Sequence, residues 1–272
     1  MPGGLLSSLA AILAIVAVGI PLLMFLLQER LLFFPQPLDA AQREAIGRQF
    51  PFSQERFIQS DSGERLQAWL VPAKPGKPLV IYFGGNAEDV SGMLEDAHSR
   101  VPGLGWLLVS YRGYGGSEGK PSEAAITADA LRWHAYAVQE LGAKEVIAFG
   151  RSLGSGAAVF LASQRPLRAV VLVTPFDSLV EVARHHYPLL PVQALLRHPF
   201  NSAGRAQKIF APLLCVAAQR DEVIPAVHAR RLYEAWGGPK RWLLLEEAGH
   251  NSTDSHPLFW QGVADFLVNT HP

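Results

Sequence analysis

The sequence is poor in cysteine and has no excess of charge of either sign. Its single cysteine, Cys215, excludes an internal disulfide and leaves the redox compartment open, so the thiol is predicted to be a small buried hydrophobe. Lys and Arg together number 24, as do Asp and Glu, and no basic stripe favours a nucleic-acid partner. Internal repeats and low-complexity tracts are also absent. With 49% hydrophobic residues over 272 positions, the chain has enough apolar residues for one large core.

The N-terminus carries a long uncharged run. Leu5–Leu27 contains no charged residue over 23 positions, and a helix needs about 20 apolar residues to cross a bilayer. Pro21 is compatible with a transmembrane helix. We therefore expect residues 1–30 to form a single-pass membrane anchor and residues 31–272 to form one globular domain.

Two alternatives remain for this run, a cleaved signal peptide and a buried core helix. Ala17-Val18-Gly19 has the small-x-small pattern of a cleavage site, but no Lys or Arg precedes the run, and the run is longer than the apolar region of about 7–15 residues in a usual signal peptide. The side of the membrane stays open, because Arg30, Arg43 and Arg48 weakly favour a cytoplasmic domain while the α-amino group opposes it. Just past the run, Leu31–Phe34 is expected either at the membrane interface or packed on the domain.

Strand-like and helical patterns alternate from about Arg56 onward. The strand candidates are short apolar runs, namely Arg56–Gln59, Leu66–Val71, Leu79–Phe83, Trp106–Ser110, Val146–Phe149, Ala169–Val173, Leu213–Ala217 and Trp242–Leu245. Helical patterns lie between them, near Asp89–Arg100, Ser122–Leu141, Leu153–Gln164, Ala226–Trp236 and Pro257–Val268. This alternation predicts an α/β fold with a mostly parallel central sheet of about eight strands and helices on both faces. The first two strands, which have only a short connection, are predicted to be antiparallel.

The segment between the sixth and seventh strand candidates is longer than one crossover helix requires. It carries four prolines, at positions 175, 188, 191 and 199, which predict two or three short helices. Residues 176–210 are therefore predicted to form a small cap over the carboxyl edge of the sheet, where ligands bind in open α/β sheets.

Gly150-Arg151-Ser152-Leu153-Gly154 matches the pattern G-x-S-x-G. The pattern requires a sharp strand-to-helix turn that tolerates only small residues two positions either side of the serine, and that raises the serine hydroxyl above the sheet. Here a buried-strand pattern precedes Ser152 and an apolar helical pattern follows it, as that turn demands. Ser152 is therefore predicted to be a catalytic nucleophile.

A second match, Gly115-Gly116-Ser117-Glu118-Gly119, also follows a strand candidate. Gly119-Lys120-Pro121 prevents a helix from running on from Ser117, and Ser122 is a better N-cap for the next helix. Ser117 is therefore predicted to lie in a glycine-rich loop.

A serine nucleophile needs a base, and the base needs a carboxylate that fixes its tautomer. In this type of fold the chain order is serine, acid, histidine. Asp221 and His250 follow the seventh and eighth strand candidates, so they are predicted to complete a triad with Ser152. Glu222 and Asp177 are the substitute acids, although Asp177 is expected to cap a helix of the cap region.

The oxyanion that forms during acyl transfer needs two fixed N–H donors. One is expected from the backbone of Leu153, directly after the nucleophile. The other is expected from the loop after the third strand candidate, with Asn86 preferred and Gly85 as the alternative. The histidines of the predicted cap, His185, His186 and His198, have no carboxylates at ligand spacing, so neither a metal nor another cofactor is expected.

Five segments in this order make the chain resemble a known family. They are Tyr82–Ala87, Tyr111–Gly119, Gly150–Gly154, Asp221–Pro225 and Gly249–Asn251. From about Leu31 onward, the chain resembles membrane-anchored α/β-hydrolases of the subgroup that includes depalmitoylating hydrolases and bud-emergence-suppressor relatives. The resemblance implies the α/β-hydrolase fold, the triad of Ser152, Asp221 and His250, and a structural role for Ser117. One departure is Gly84, where family members commonly carry histidine.

These features predict a serine hydrolase that cleaves an acyl ester or thioester, with a small or lipid-like acyl substrate and no nucleic acid. An aminopeptidase-type serine peptidase is the first alternative, and it would need acidic groups such as Glu181 or Glu222 to hold the substrate amine. A binding protein without catalysis is the second, against which the complete triad argues. Fold-level analogy alone does not choose the substrate.

Overall fold

Eight strands form one sheet in the computed structural model, which describes residues 15–270. The strands are β1 Gln54–Gln59, β2 Arg65–Val71, β3 Leu79–Phe83, β4 Gly105–Val109, β5 Val146–Arg151, β6 Ala169–Val173, β7 Leu213–Ala218 and β8 Lys240–Leu245. Their order across the sheet is β1-β2-β4-β3-β5-β6-β7-β8. The pairs formed by β2 with β1 and with β4 are antiparallel, and every other pair is parallel. The predicted mostly parallel sheet with an antiparallel lead-in is confirmed.

The central strands are continuous apolar runs because both of their faces are covered. In β3, Ile81 and Phe83 belong to one buried cluster, while their neighbours Val80 and Tyr82 belong to a second cluster on the opposite face. The edge strand β1 has no fully buried residue, in keeping with its alternating polar sequence.

Helices cover both faces of the sheet. The α-helices are α1 Ile20–Leu32, α2 Ala40–Gln49, α3 Leu94–Ser99, α4 Glu123–Gln139, α5 Leu153–Gln164, α6 Leu179–His186, α7 Val192–Leu195, α8 Ala203–Ala206, α9 Ala226–Ala235 and α10 Pro257–Asn269. Helix α2 was not predicted, although a capping box formed by Asp39 and Gln42 marks its start. A 3-10 turn over Val90–Met93 leads into α3, so the helix expected near Asp89–Arg100 has two parts.

Three short helices, α6 to α8, occupy the connection between β6 and β7. This agrees with the two or three helices that its prolines predict. We call the residues from Leu179 to Ala206 the cap.

The first helix packs on the cap through its last two turns. Gln28 is buried, and its Nε2 donates to the carbonyl oxygen of Leu195 at 3.0 Å while its Oε1 accepts from the backbone N–H of Arg197 at 2.8 Å. The Arg197 guanidinium also lies 4.2 Å from the centre of the Phe25 ring. Phe33, just past the helix, is buried in the core, whereas Phe34 is exposed. Of the two expectations for Leu31–Phe34, packing on the domain holds for Phe33.

The predicted anchor lies partly outside the described residues, since residues 1–14 precede them. Between residues 15 and 270, no helix combines the length and apolar character that crossing a bilayer requires. A π-helical turn over Ile15–Gly19 leads directly into α1, which continues across the predicted boundary at residue 30. The anchor over residues 1–30 thus stays a prediction.

Candidate active site

Ser152 lies at the tip of the turn between β5 and α5. Its backbone has φ 50° and ψ −118°, a conformation that costs a non-glycine residue free energy and that the surrounding structure must hold in place. A Cβ atom at Gly150 would collide with the backbone of Gly154, and one at Gly154 would collide with the carbonyl oxygens of Phe83 and Gly84. The turn is therefore possible only because both positions are glycine.

Ser152, His250 and Asp221 are connected by a continuous chain of hydrogen bonds. The Ser152 Oγ lies 2.9 Å from His250 Nε2, and His250 Nδ1 lies 2.8 Å from Asp221 Oδ2. The other carboxylate oxygen of Asp221 accepts from the backbone N–H groups of Val223 and Ile224, at 2.9 and 2.7 Å. Because Asp221 is buried and both of its oxygens are engaged, its side chain is fixed in orientation.

The two substitute acids lie elsewhere. Glu222 is exposed, and Asp177 pairs with the buried His228 at 2.8 Å, between Oδ1 and Nδ1. Burial favours the neutral acid, but hydrogen bonds from His228 and from the Ser178 N–H outweigh it and lower the pKa of Asp177. The expectation that Asp177 caps a helix is wrong, because the side chain of Ser178 caps α6.

Ser117 is enclosed in its loop. Its Oγ donates to the carbonyl oxygen of Ser110 at 2.9 Å and accepts from the backbone N–H of Gln67 at 2.8 Å. The side chain therefore ties the loop to β2 and to the end of β4. This arrangement is that of a structural residue.

The backbone N–H groups of the two expected oxyanion donors have no partner in the described part of the chain. Leu153 is the first residue of α5, and Asn86 follows β3; neither backbone N–H finds an acceptor among residues 15–270. Gly85 differs, since its N–H donates to Glu88 Oε2 at 2.6 Å. The geometry favours Asn86 over Gly85 as the second donor.

A cavity of about 370 Å³ opens onto these groups. Its lining comprises Gly85–Glu88, Arg151, Ser152, Val223, His250 and Asn251. Neither Glu181 nor Glu222 lines this cavity, although a peptidase would need such an acidic group to hold the substrate amine. Glu88 does, but its two carboxylate oxygens already accept from the Gly85 N–H and, at 2.6 Å, from the Tyr82 hydroxyl.

Glu88 and Arg151 are site residues that the sequence reasoning missed. Burial and the neighbouring Glu88 carboxylate raise the pKa of Tyr82, so this hydroxyl stays protonated and donates. Burial disfavours the charged form of Arg151, yet Tyr82, Glu88 and Asp254 outweigh it and raise the pKa of the guanidinium. Arg151 occupies a variable position of G-x-S-x-G, so the motif did not identify it. Glu88 lies only three residues beyond Gly85, and this short spacing could have suggested a turn in which the Glu88 side chain accepts from the Gly85 N–H.

A second cavity, of about 240 Å³, is mostly apolar and lies between α1 and the cap. Its lining comprises Met24, Phe25, Gln28, Leu31, Leu32, Ala183, Tyr187, Leu190, Val192, Leu195 and Leu196. Leu189, by contrast, is 96% exposed. The carbonyl oxygen of Leu32 accepts from Asn86 Nδ2 at 2.6 Å, so the apolar cavity adjoins the loop that lines the cavity at Ser152.

Two histidines of the cap, His186 and His198, have structural contacts. His186 Nε2 lies 2.9 Å from the carbonyl oxygen of Val223, and the buried His198 packs edge-on against Phe33. Throughout residues 15–270, no cluster of three or more His, Cys, Asp or Glu side chains is arranged to hold a metal ion.

The strand order and the strand–turn–helix elbow define an α/β-hydrolase fold. The family model described as alpha/beta hydrolase fold matches residues 78–195. A Mycobacterium tuberculosis protein is 36% identical over 267 residues, which cover 96% of this chain and 94% of that protein. Alpha/beta hydrolase domain-containing protein 17C of Xenopus tropicalis is 30% identical, over 78% of this chain and 69% of that protein. The chain belongs to the α/β-hydrolase family.

Other comparisons agree with this assignment. A yeast protein, from Saccharomyces cerevisiae and described as an uncharacterized membrane protein, is 30% identical over 81% of each chain. Among solved structures, an esterase of Pyrococcus furiosus has a TM-score of 0.64 at 17% identity, covering 82% of this chain and 95% of that one. A monoacylglycerol lipase of Paleococcus ferrophilus has a TM-score of 0.60 at 19% identity, covering 76% and 99%. The structural likeness establishes the fold, and the family supports a hydrolase.

Proposed function

We propose that this protein is a serine hydrolase that cleaves acyl esters or thioesters through an acyl-enzyme on Ser152. The observation that carries the proposal is the line of hydrogen bonds from Ser152 Oγ through the His250 ring to Asp221, with distances of 2.9 and 2.8 Å. A serine hydroxyl becomes a useful nucleophile when an adjacent base takes its proton, and that base works when a carboxylate holds it in the right tautomer.

In the proposed reaction, the Ser152 oxygen attacks the acyl carbon while its proton moves to His250 Nε2. The backbone N–H groups of Leu153 and Asn86 stabilise the oxyanion. The intermediate then collapses, and His250 gives the proton to the departing alcohol or thiol. Water next attacks the acyl-enzyme, again with His250 as base, which releases the carboxylic acid and restores the Ser152 hydroxyl.

The proposed substrate carries an acyl chain, which the apolar cavity between α1 and the cap would accept. Leu32 lies beside both cavities, because it lines the apolar one and its carbonyl oxygen contacts Asn86, which lines the other. We also propose that residues 1–30 hold the enzyme at a membrane, where such substrates reside. The uncharged run of 23 residues and the membrane description of the yeast relative support this.

A substrate panel tests the proposal. The full-length chain in detergent is assayed with esters and thioesters of increasing acyl length and with aminoacyl amides. The value of kcat/KM should rise with each added carbon, by at most about fourfold, since a buried methylene contributes about 0.8 kcal/mol. A preference for acetyl esters, or faster cleavage of aminoacyl amides, contradicts the proposal and favours a peptidase; no turnover of any substrate favours a binding protein.

A matched pair of leucines in the cap sharpens this test. Leu190 lines the apolar cavity, whereas the adjacent Leu189 is almost fully exposed. Leu190→Ser should flatten the rise of kcat/KM with acyl length and leave acetyl-ester turnover unchanged. Leu189→Ser should leave the whole profile as in the wild type. Equal effects of both substitutions would place the acyl chain outside this cavity.

A further inference from the structure

We propose that the side chain of Asn86 is a positioning group for the oxyanion site, and that the segment Leu32–Phe34, which leads out of α1, holds it in place together with Tyr114. This inference rests on the proposed function, in which the Asn86 backbone N–H binds the oxyanion. In addition, the segment Leu32–Phe34 then affects the rate of the reaction.

The carboxamide of Asn86 is held by distant parts of the chain. Its Nδ2 donates to the Leu32 carbonyl oxygen at 2.6 Å, and its Oδ1 accepts from the Phe34 N–H at 3.0 Å and from the Tyr114 hydroxyl at 3.0 Å. The Phe34 N–H also lies 3.1 Å from the Tyr114 oxygen. We call these contacts the Asn86 clamp. They hold the side chain of the residue whose backbone N–H is proposed to bind the oxyanion.

The backbone at this point needs such support. Ala87 has φ 57°, in the left-handed region that a residue with a Cβ adopts only when its surroundings hold it there. Its N–H donates to the same Asn86 Oδ1, at 3.1 Å. The orientation of the Asn86–Ala87 peptide, and with it that of the adjacent Asn86 N–H, therefore depends on where the carboxamide lies.

Tyr114 suits the role of a fixed donor. It is only 2% exposed, and burial raises its pKa to about 12, so its hydroxyl is protonated at neutral pH. Its ring packs edge-on against Tyr111, whose hydroxyl donates to the Gly84 carbonyl oxygen at 2.7 Å. The two tyrosines thus support both ends of the loop Gly84–Ala87.

The clamp also joins the loop to α1 and the cap. Gln28, one turn before Leu32, bonds to the backbone of Leu195 and Arg197 in the cap. A shift of α1 would therefore move the groups that hold Asn86. Since an oxyanion donor acts mainly in the transition state, its misplacement should lower kcat and leave KM nearly unchanged.

Two substitutions at Phe34 separate the backbone contact from the side chain. Phe34→Pro removes the N–H that donates to Asn86, and Phe34→Ala keeps it. Phe33 has φ −114° and ψ 129°, which is the conformation preferred before proline. In full-length protein with a short soluble ester, Phe34→Pro should lower kcat about tenfold with KM within about twofold, as expected for a slightly misplaced catalytic group. Phe34→Ala should match the wild type.

A second pair tests the clamp without altering the backbone. Tyr114→Phe deletes one hydroxyl and should also lower kcat about tenfold. Tyr233→Phe is its control, because the hydroxyl of Tyr233 donates to the Lys240 carbonyl oxygen, at 3.3 Å, and not to the loop Gly84–Ala87. Affinity for a trifluoromethyl ketone, whose hemiketal oxygen occupies the oxyanion site, should fall by the same factor as kcat/KM.

Unchanged kcat in both Tyr114→Phe and a folded Phe34→Pro would overturn the clamp, as would a rise in KM at constant kcat. Equal losses in Phe34→Ala and Phe34→Pro would also overturn it, because the effect would then come from the exposed ring. Failure of the proposed function is distinct, since the wild type itself would then lack turnover. If Phe34→Pro does not fold, Tyr114→Phe and the ketone affinities decide.

Discussion

Ser117 and Ser152 lie in segments with the same spacing of glycines, yet the two glycine pairs meet different needs. Gly150 and Gly154 are required for space, because a Cβ at either one would collide with backbone. Gly115 and Gly119 have φ of 51° and 86°, the left-handed region that favours glycine. Gly150 and Gly154 thus permit close packing of a helix against the sheet, whereas Gly115 and Gly119 permit a tight loop.

The surroundings of the two serine hydroxyls also differ. Both polar contacts of the Ser117 Oγ go to backbone, at Ser110 and Gln67. The Ser152 Oγ faces His250 and an open cavity. The comparison teaches that two G-x-S-x-G segments of one chain can place their serines in different surroundings, and that a helix follows Ser152 but not Ser117. In this chain, Pro121 is the residue that distinguishes the two segments.

The largest expected difference between the segments is in catalysis. Ser152→Ala should lower kcat on the order of a million-fold, as removal of the triad serine does in serine hydrolases. Ser117→Ala should keep most of the activity. Steady-state kinetics on one ester measures both variants, and a reversed pair of results would move the nucleophile to Ser117.

The carboxylates extend the comparison, because residues 15–270 contain two Asp–His pairs and only one is expected to serve Ser152. Asp221→Asn should lower kcat about ten-thousand-fold while the fold persists, since the tautomer of His250 is no longer fixed. Asp177→Asn, which alters the buried pair with His228, should keep kcat and lower the free energy of unfolding by about 1–3 kcal/mol. Steady-state kinetics and urea unfolding of both variants distinguish the catalytic effect from the effect on stability. Normal turnover in Asp221→Asn would assign the role of the acid to another residue.

Substitutions of glycine test the two explanations, which are lack of space at Gly154 and a positive φ at Gly119. Gly154→Ala forces a methyl group against the Phe83 carbonyl, so the free energy of unfolding should fall by about 3 kcal/mol or more. Gly119→Ala meets only side chains but must adopt a positive φ, at a cost of about 1–2 kcal/mol. Denaturant unfolding of both variants gives the ranking. A larger loss at Gly119 would show that the elbow relaxes more easily than its contacts indicate.

The last expected difference between the two segments is the effect of removing each serine hydroxyl on stability. Ser117→Ala leaves the buried N–H of Gln67 without its acceptor, which should lower the free energy of unfolding by about 1–3 kcal/mol. Ser152→Ala removes no backbone contact and should leave stability within about 0.5 kcal/mol of the wild type. Thermal and urea unfolding of the two variants measures this difference; an equal loss in both would mean that Ser117 has no special structural role.

Much of the fold was predictable because buried parallel strands carry a strong signal. β3 and β6 begin and end at the predicted residues, since each is a continuous apolar run. β5 extends two residues further than predicted, to Arg151, because the glycine of the elbow still pairs with Leu172 of β6. Helix α2 was missed because its apolar residues are too few to produce a periodic pattern.

The site was predictable where one local pattern determines geometry and not where distant segments meet. Ser152, Asp221 and His250 each follow a strand, so their convergence follows from the sheet. The contacts of Asn86 with Leu32, Phe34 and Tyr114 join residues 28 to 54 positions apart, and no local pattern encodes them. For the same reason, the pairing of Asp177 with His228, 51 positions later, was mistaken for a helix cap.

Mass spectrometric mapping of a fluorophosphonate adduct tests the central claim most directly. The probe reacts with an activated serine and stays bound, so digestion of the labelled protein identifies the residue. The adduct should lie on Ser152, persist in Ser117→Ala and disappear in Ser152→Ala and in His250→Ala. An adduct on Ser117, or undiminished labelling of Ser152→Ala, would contradict the account.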